Sequence, residues 1–88
     1  MNERKDYKEI FSPEALIRFA KFREIRKAMA NEHSVPAYMI FTNEELAQIA
    51  QLKELTPKSV QSIPGVGAKR LEKFGEEFIQ KHNNAEVQ

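Results

Sequence analysis

Three segments share one pattern: an apolar residue, then a hydroxyl residue, then a second apolar residue four positions after the hydroxyl. They are Phe11-Ser12-Leu16, Phe41-Thr42-Leu46 and Leu55-Thr56-Val60. This pattern is typical of helix starts, because the hydroxyl caps a free backbone N–H while the two apolar side chains pack together. Pro13 and Pro57 follow two of the caps at the first helical position, where a missing N–H does no harm. Glu45 follows Thr42 at the spacing of a capping box. The pattern therefore predicts three helix starts.

The positions of proline and glycine set the predicted helix ends. The first helix should cover about 13–31, because Pro36 follows it and disfavours helical backbone in the residue before it. The second should reach about residue 53, and the third should be short, covering about 57–63. A last helix should cover about 67–82. Since no stretch alternates apolar and polar residues as a strand would, the predicted fold is all-α.

Helical periodicity gives the first helix one broad apolar face. Its members are Ala15, Leu16, Phe19, Phe22, Ile25, Met29 and Ala30. Arg18 and Arg26 project within this face. We expect Arg26 to lay its stem on the core and to pair with a carboxylate or a helix end, and contact with a ligand is the alternative. Arg23 and Lys27 lie one turn apart at the edge of the face and are freer to bind.

The last predicted helix also has a core-facing side. Leu71, Phe74, Phe78 and Ile79 repeat at helical spacing along it. Gly75 should permit close approach of a neighbouring helix, at some cost in helix propensity.

Composition bounds the size and location of the protein. With 88 residues, 41% of them apolar, the chain has room for one small folded domain. It has no cysteine, no long apolar run and no signal-peptide core, so we expect an intracellular protein in a reducing cytoplasm, without a membrane partner.

The net charge of +1 argues against nucleic-acid binding through bulk charge. Any such binding must therefore be local. Between Arg18 and Lys27 there are five cations and one anion, Glu24, so the charge is unevenly distributed.

The turn Ile63-Pro64-Gly65-Val66-Gly67 precedes a pair of cations, Lys69 and Arg70. Gly65 and Gly67 can both adopt positive φ, and the backbone amides that open the next helix could face a phosphate. The alternative is that the two glycines only let two helices pack closely.

The segment Val35–Phe41 reads as an apolar connector that carries one aromatic residue with a polar end, Tyr38. If the ring of Tyr38 is exposed, it can stack on an unpaired base while Arg23 and Lys27 hold phosphates. The alternative is that Tyr38 fills the core and only its hydroxyl reaches water.

We expect no catalytic residue and no metal site. His33 and His82 fall at helix ends, should be exposed, and have no serine, cysteine or carboxylate partner at a recognisable spacing. The acidic pairs Glu44-Glu45 and Glu76-Glu77 are interpreted as solvated helix faces, and no nucleotide-binding lysine motif is present.

The order of the motifs resembles the HRDC (helicase and RNase D C-terminal) domain, most closely the one that ends bacterial RecQ helicases. The segments that carry this resemblance are Phe19-x-x-Phe22-Arg23-x-Ile25-Arg26-x-x-x-Ala30, Val35-Pro36-Ala37-Tyr38-x-Ile40-Phe41, Leu46-x-x-Ile49-Ala50 and Ile63-x-Gly65-Val66-Gly67-x-x-x-Leu71-x-x-Phe74-Gly75. It covers about residues 12–82, with residues 1–11 as a linker or tail and 83–88 as a C-terminal tail.

The resemblance implies a bundle of about five helices, with a turn like that of a helix-hairpin-helix at Ile63–Gly67. It also implies a monomeric, non-catalytic module, linked to the core of an ATP-dependent 3′ to 5′ DNA helicase that acts in repair and recombination. ATP and Mg²⁺ would be cofactors of that parent, and this chain would need none.

The same resemblance implies binding of single-stranded or junction DNA, and two or three phosphate contacts with one stacking tyrosine would make this binding weak and salt-sensitive. The implied face comprises Arg23, Arg26, Lys27 and Tyr38, and a second, less favoured face comprises Gly65, Gly67, Lys69 and Arg70. Two alternatives stay open: a protein-interaction module that docks on the helicase core or a repair partner, and an RNA-binding domain of an exonuclease similar to RNase D.

Overall fold

The computed structural model describes residues 11–87, with side chains through Asn84. Six α-helices lie in this part of the chain: α1 (Pro13–His33), α2 (Ala37–Ile40), α3 (Asn43–Ala50), α4 (Pro57–Gln61), α5 (Ala68–Arg70) and α6 (Glu76–Val87). A π-helical turn, Leu71–Gly75, joins α5 to α6. No strand is found in residues 11–87, and the predicted all-α fold is confirmed. None of the helices described has the length and hydropathy needed to cross a membrane.

The three predicted helix starts are all capped by their hydroxyl residues. Ser12 Oγ accepts a hydrogen bond from a backbone N–H in the first turn of α1. At α3, Thr42 Oγ1 accepts from the Glu45 N–H at 3.1 Å, and the Glu45 carboxylate accepts from the Thr42 N–H at 2.9 Å. Thr56 and Ser59 exchange the same pair of bonds at α4. Local sequence therefore determines where these helices begin.

The helix ends differ from the prediction. α1 continues to His33, where Ser34 adopts a left-handed conformation (φ 58°) and its N–H bonds the carbonyls of the last turn. The predicted connector contains the one-turn helix α2, and α3 ends three residues before Lys53. α6 includes residues 83–87, which were predicted as a tail. The rest of the predicted tails, residues 1–10 and 88, lies outside the described residues.

The core is organised around three aromatic rings from distant parts of the chain. Phe78 of α6 makes edge-to-face contacts with Phe22 of α1 and with Phe41, which follows α2, and both centroid distances are 5.2 Å. α1 packs against α2, α3 and α6. Phe11, predicted within the tail, is also buried, and its ring lies 5.4 Å from that of Phe19.

Two arginines of α1 hold the ends of other helices. The Arg18 Nε donates to the Ala50 carbonyl at the end of α3, at 2.8 Å. The Arg26 Nη1 donates to the Phe41 carbonyl after α2, at 2.9 Å. The helix-end role that the sequence favours for Arg26 is thus present, and α1 fixes the position of both shorter helices.

Both glycines of the turn can adopt a positive φ, but of the two only Gly65 does so. Gly65 has a φ of 95°, whereas Gly67 has a φ of −86° and serves as the N-cap of α5. Gly75 was expected to permit close approach of a neighbouring helix. A Cβ there would lie 2.6 Å from Cδ1 of Leu71 in the same helical run, so the absence of a side chain at Gly75 first of all accommodates Leu71.

Glu45 was predicted on a solvated face, and this is wrong, because the residue is only 7% exposed. Its carboxylate completes the capping box and also forms an ion pair with the Arg70 guanidinium. A Cβ on Gly65 would lie 2.7 Å from Glu45 Oε2. The close approach of Gly65 to this carboxylate joins the glycine turn to the start of α3.

We predict that Gly65→Ala lowers the free energy of unfolding by about 1–3 kcal/mol, because the backbone is left-handed and the new Cβ meets Glu45. Gly67→Ala is the matched control, since nothing lies within 4 Å of its Cβ position. It should change the free energy of unfolding by less than about 1 kcal/mol. Urea denaturation of both variants measures the difference, and equal losses would contradict this account of the turn.

Candidate nucleic-acid interface

Arg23 and Lys27 are exposed on consecutive turns of α1. The Arg23 guanidinium carbon lies 5.9 Å from the centroid of the Phe19 ring, so the arginine stem rests on the edge of the core. In the described part of the chain, neither cation forms an ion pair with a carboxylate. Both charges are therefore available to an anion from solvent.

These two cations line a shallow surface depression that we call the α1 hollow. Its other lining residues are Ala20, Glu24, Arg26 and Ala37. Glu24 is the one carboxylate in this lining, against three cations. The hollow is cationic on balance, and its far wall at Ala37 belongs to α2.

Arg26 differs from its two neighbours because it is only 9% exposed. Burial lowers the pKa of the Arg26 guanidinium, and the positive charge of Arg23 lowers it further. Nη1 is used by the Phe41 carbonyl, and Nε is buried without a hydrogen-bond partner among the described residues. Of the four residues predicted for the first face, Arg26 is thus the one whose geometry fits a structural role.

Tyr38 is 63% exposed, so the interpretation in which it fills the core is wrong. The reason lies in the single turn of α2, where Ile40 and the following Phe41 are completely buried. Tyr38 and Met39 consequently face outward, and Met39 is 46% exposed. An exposed aromatic ring and a thioether therefore stand together on one protruding turn.

Tyr38 lines a second depression, which we call the α2 hollow. It is formed by Tyr38, Met39, Thr42, Lys69, Arg70, Lys73 and Phe74. Tyr38 and Lys69 were predicted on separate faces, whereas the fold brings them to one hollow. Lys73 was missed, although it stands four residues after Lys69, the same spacing that singled out Arg23 and Lys27.

The remaining members of the predicted second face are less free to bind an anion. Arg70 is half-buried and its guanidinium is paired with Glu45. Gly65 and Gly67 are exposed, but the Glu45 carboxylate lies directly beside Gly65. Because Arg70 and Glu45 neutralise each other, this ion pair adds no net positive charge that would attract a phosphate to the turn.

A separate cluster joins the end of α1 to α6. His33 Nε2 lies 2.9 Å from Glu77 Oε1, and ligand atoms of Glu32, His33 and Glu77 lie within 4.8 Å of one another. The Lys81 ammonium lies 3.4 Å from the Glu32 carboxylate and already supplies a positive charge to this cluster. His33 is exposed as predicted, but the ring of His82 is partly buried and lies 5.1 Å from that of Phe22.

Comparison with known proteins supports the resemblance noted in the sequence. A family model for the HRDC domain matches residues 15–81. The ATP-dependent DNA helicase RecQ of Pasteurella multocida is 37% identical over 62 residues, which cover 70% of this chain and 10% of that helicase. The RecQ helicase of Bacillus subtilis is 30% identical over 63 residues, covering 72% of this chain and 11% of the helicase.

A second type of helicase also matches. The ATP-dependent DNA helicase UvrD2 of Mycobacterium tuberculosis is 40% identical over 55 residues, which cover 62% of this chain and 8% of the helicase. The chain therefore spans about a tenth of the length of the curated relatives it matches. No solved structure matches it.

We predict that Arg26→Ala lowers the free energy of unfolding by about 2–3 kcal/mol, because a charge-assisted hydrogen bond and the packed stem are both lost. Arg26→Met should lose less than about half of that free energy. The methionine side chain has a similar length and has no buried Nε that needs a hydrogen-bond partner. Arg23→Met, at an exposed position of the same helix, should stay within about 0.5 kcal/mol of the parent chain. Urea denaturation followed by circular dichroism provides the values, and similar losses for Arg26→Ala and Arg23→Met would refute the structural role.

Proposed function

Because this chain belongs to the HRDC domain family, we propose that it is a non-catalytic accessory domain of an ATP-dependent DNA helicase and binds single-stranded or structured DNA. The curated relatives are named as such helicases, and each is about ten times as long as the matched segment. The helicase core would belong to the same polypeptide and would bind ATP and Mg²⁺. The domain would act as a monomer in the bacterial cytoplasm, in DNA repair and recombination.

The observation that carries this proposal is an exposed Tyr38 on α2, the helix that also contributes Ala37 to the lining of the cationic α1 hollow. Proteins that bind single strands combine cations that track phosphates with aromatic rings on which bases stack. Arg23 and Lys27 supply the cations, and α2, which forms the wall of the hollow at Ala37, presents Tyr38 to solvent. Stacking requires an unpaired base, so this arrangement favours single-stranded regions over continuous duplex.

The number of contacts sets the expected strength of binding. Each phosphate contact on a single strand contributes about 0.7 to the slope of log K against log salt concentration. The net charge of +1 provides little long-range attraction, and Glu24 offsets part of the local charge. We therefore expect binding in the micromolar range or weaker that falls steeply with salt.

Protein docking is the second candidate function. Met39 is 46% exposed beside Tyr38, and exposed thioether and aromatic side chains are common at protein interfaces. A surface that docks on the helicase core without DNA would give a binding strength with little dependence on salt. The exonuclease alternative has no support among the relatives described above, which are DNA helicases.

We predict that Arg23→Ala combined with Lys27→Ala reduces the magnitude of the salt slope for single-stranded DNA by about 1.4, because two phosphate contacts are lost. The measurement is fluorescence anisotropy of a labelled oligothymidylate of about 10 nucleotides. Lys53→Ala combined with Lys58→Ala is the matched control, since it removes two exposed cations that line neither hollow. A slope that is unchanged in the first variant, or lowered equally in both, would reject the α1 hollow as the DNA contact.

We predict that Tyr38→Ala weakens binding of the same oligonucleotide by about 5- to 150-fold, because one stacked base is lost. Tyr38→Phe should retain most of the affinity, since the ring and not the hydroxyl makes the contact. Both variants should fold normally, because Tyr38 is exposed. Equal losses in the two variants would show that the hydroxyl, and not stacking, is responsible.

A further inference from the structure

Lys69 and Lys73 form a second pair of unpaired cations at some distance in sequence from Arg23 and Lys27. Both are exposed, and among residues 11–84 no carboxylate forms an ion pair with either of them. The Lys73 ammonium lies 5.5 Å from the centroid of the Phe74 ring, so its stem is supported while its charge stays in solvent. Arg70, between them in sequence, is already committed to Glu45. The α2 hollow therefore has two lysines available for an anion.

The single turn α2 contributes residues to both hollows. Ala37 lines the α1 hollow, and the next two residues, Tyr38 and Met39, line the α2 hollow. Each hollow thus presents one pair of cations that form no ion pair among the described residues, and α2, which carries the exposed ring of Tyr38, borders both hollows. A contact confined to the α1 hollow would not use the second pair of cations.

We propose that one DNA strand crosses α2, with phosphates held by Arg23 and Lys27 on one side and by Lys69 and Lys73 on the other. Tyr38 and Met39 then contact the bases at the crossing point. This inference rests on the proposed function and extends it, because it assigns a path to the strand. It makes Lys69 and Lys73 phosphate-binding residues and defines a second half of the site.

Charge complementarity favours a nucleic-acid strand as the occupant of the α2 hollow. Its lining contains three cations and no carboxylate, and the one paired charge, on Arg70, is balanced by Glu45. A strand with a charge at every phosphate matches the cations of both hollows. Stacking on the exposed ring of Tyr38 also requires an unstacked base, which a duplex does not offer at its surface. An acidic peptide is the competing occupant that the experiment must distinguish.

The proposed path predicts a specific slope of log K against log salt concentration. Four phosphate contacts correspond to a salt slope of about −2.8 and to a loss of affinity of about 50-fold between 50 and 200 mM salt. Two contacts correspond to a slope of about −1.4 and to a loss of about 7-fold over the same range. The slope of the unsubstituted chain therefore separates the full path from the α1 hollow alone.

The test compares the unsubstituted 88-residue chain with Lys69→Ala combined with Lys73→Ala, using the labelled oligothymidylate of about 10 nucleotides. We expect the variant to reduce the magnitude of the slope, from about −2.8 to about −1.4, while the control at Lys53 and Lys58 leaves it unchanged. At saturation we expect one oligonucleotide per chain. An oligoglutamate peptide of the same length should not compete at equal concentration.

Each other outcome has a distinct meaning. If only the Arg23 and Lys27 variant lowers the slope, the proposed function stands and the crossing path is wrong. Two oligonucleotides per chain would show two separate sites, and effective competition by oligoglutamate would assign the α2 hollow to an acidic peptide; either result overturns the path. If the unsubstituted chain binds no DNA, both the proposed function and the path are rejected.

Discussion

The hydrogen bond from Arg26 to the Phe41 carbonyl holds the end of α2 against the long helix, and the candidate interface depends on where α2 lies. Phe41 contributes twice to this position, because its ring is buried against Phe78 while its carbonyl receives the arginine. The two contacts leave the other side of the single turn exposed. Tyr38 is thus exposed because Ile40 and Phe41 are buried, and α2 borders both hollows.

The arginines of this domain include three that are used within the fold. Arg18, Arg26 and Arg70 each bond a carbonyl or a carboxylate within the fold. The planar, multi-donor guanidinium suits this task better than an ammonium. Lys69 and Lys73, like Lys27 and Arg23, keep their charge at the surface, so an overall charge near zero coexists with a local surface that favours a polyanion.

Local rules predicted much of the fold, and tertiary contacts account for most of the rest. Helix caps act within four residues, so Ser12, Thr42 and Thr56 marked their helices correctly. Glu45 also fitted its local motif, but its burial follows from Gly65 and Arg70, which lie 20 and 25 residues away along the chain. For the same reason the sequence could not bring Tyr38 and Lys73 together, because their shared hollow arises only when the C-terminal helical run packs back beside α2.

The most direct test of the central claim, that DNA binds across α2, is an NMR titration of the ¹⁵N-labelled chain with the oligothymidylate at low and high salt. We predict that the backbone amide resonances of Arg23, Lys27, Tyr38, Lys69 and Lys73 shift at low salt and that these shifts are reversed at high salt. Shifts confined to the region of Gln80 and Asn83, which line a different depression, would contradict it. The absence of any salt-sensitive shift would contradict it equally.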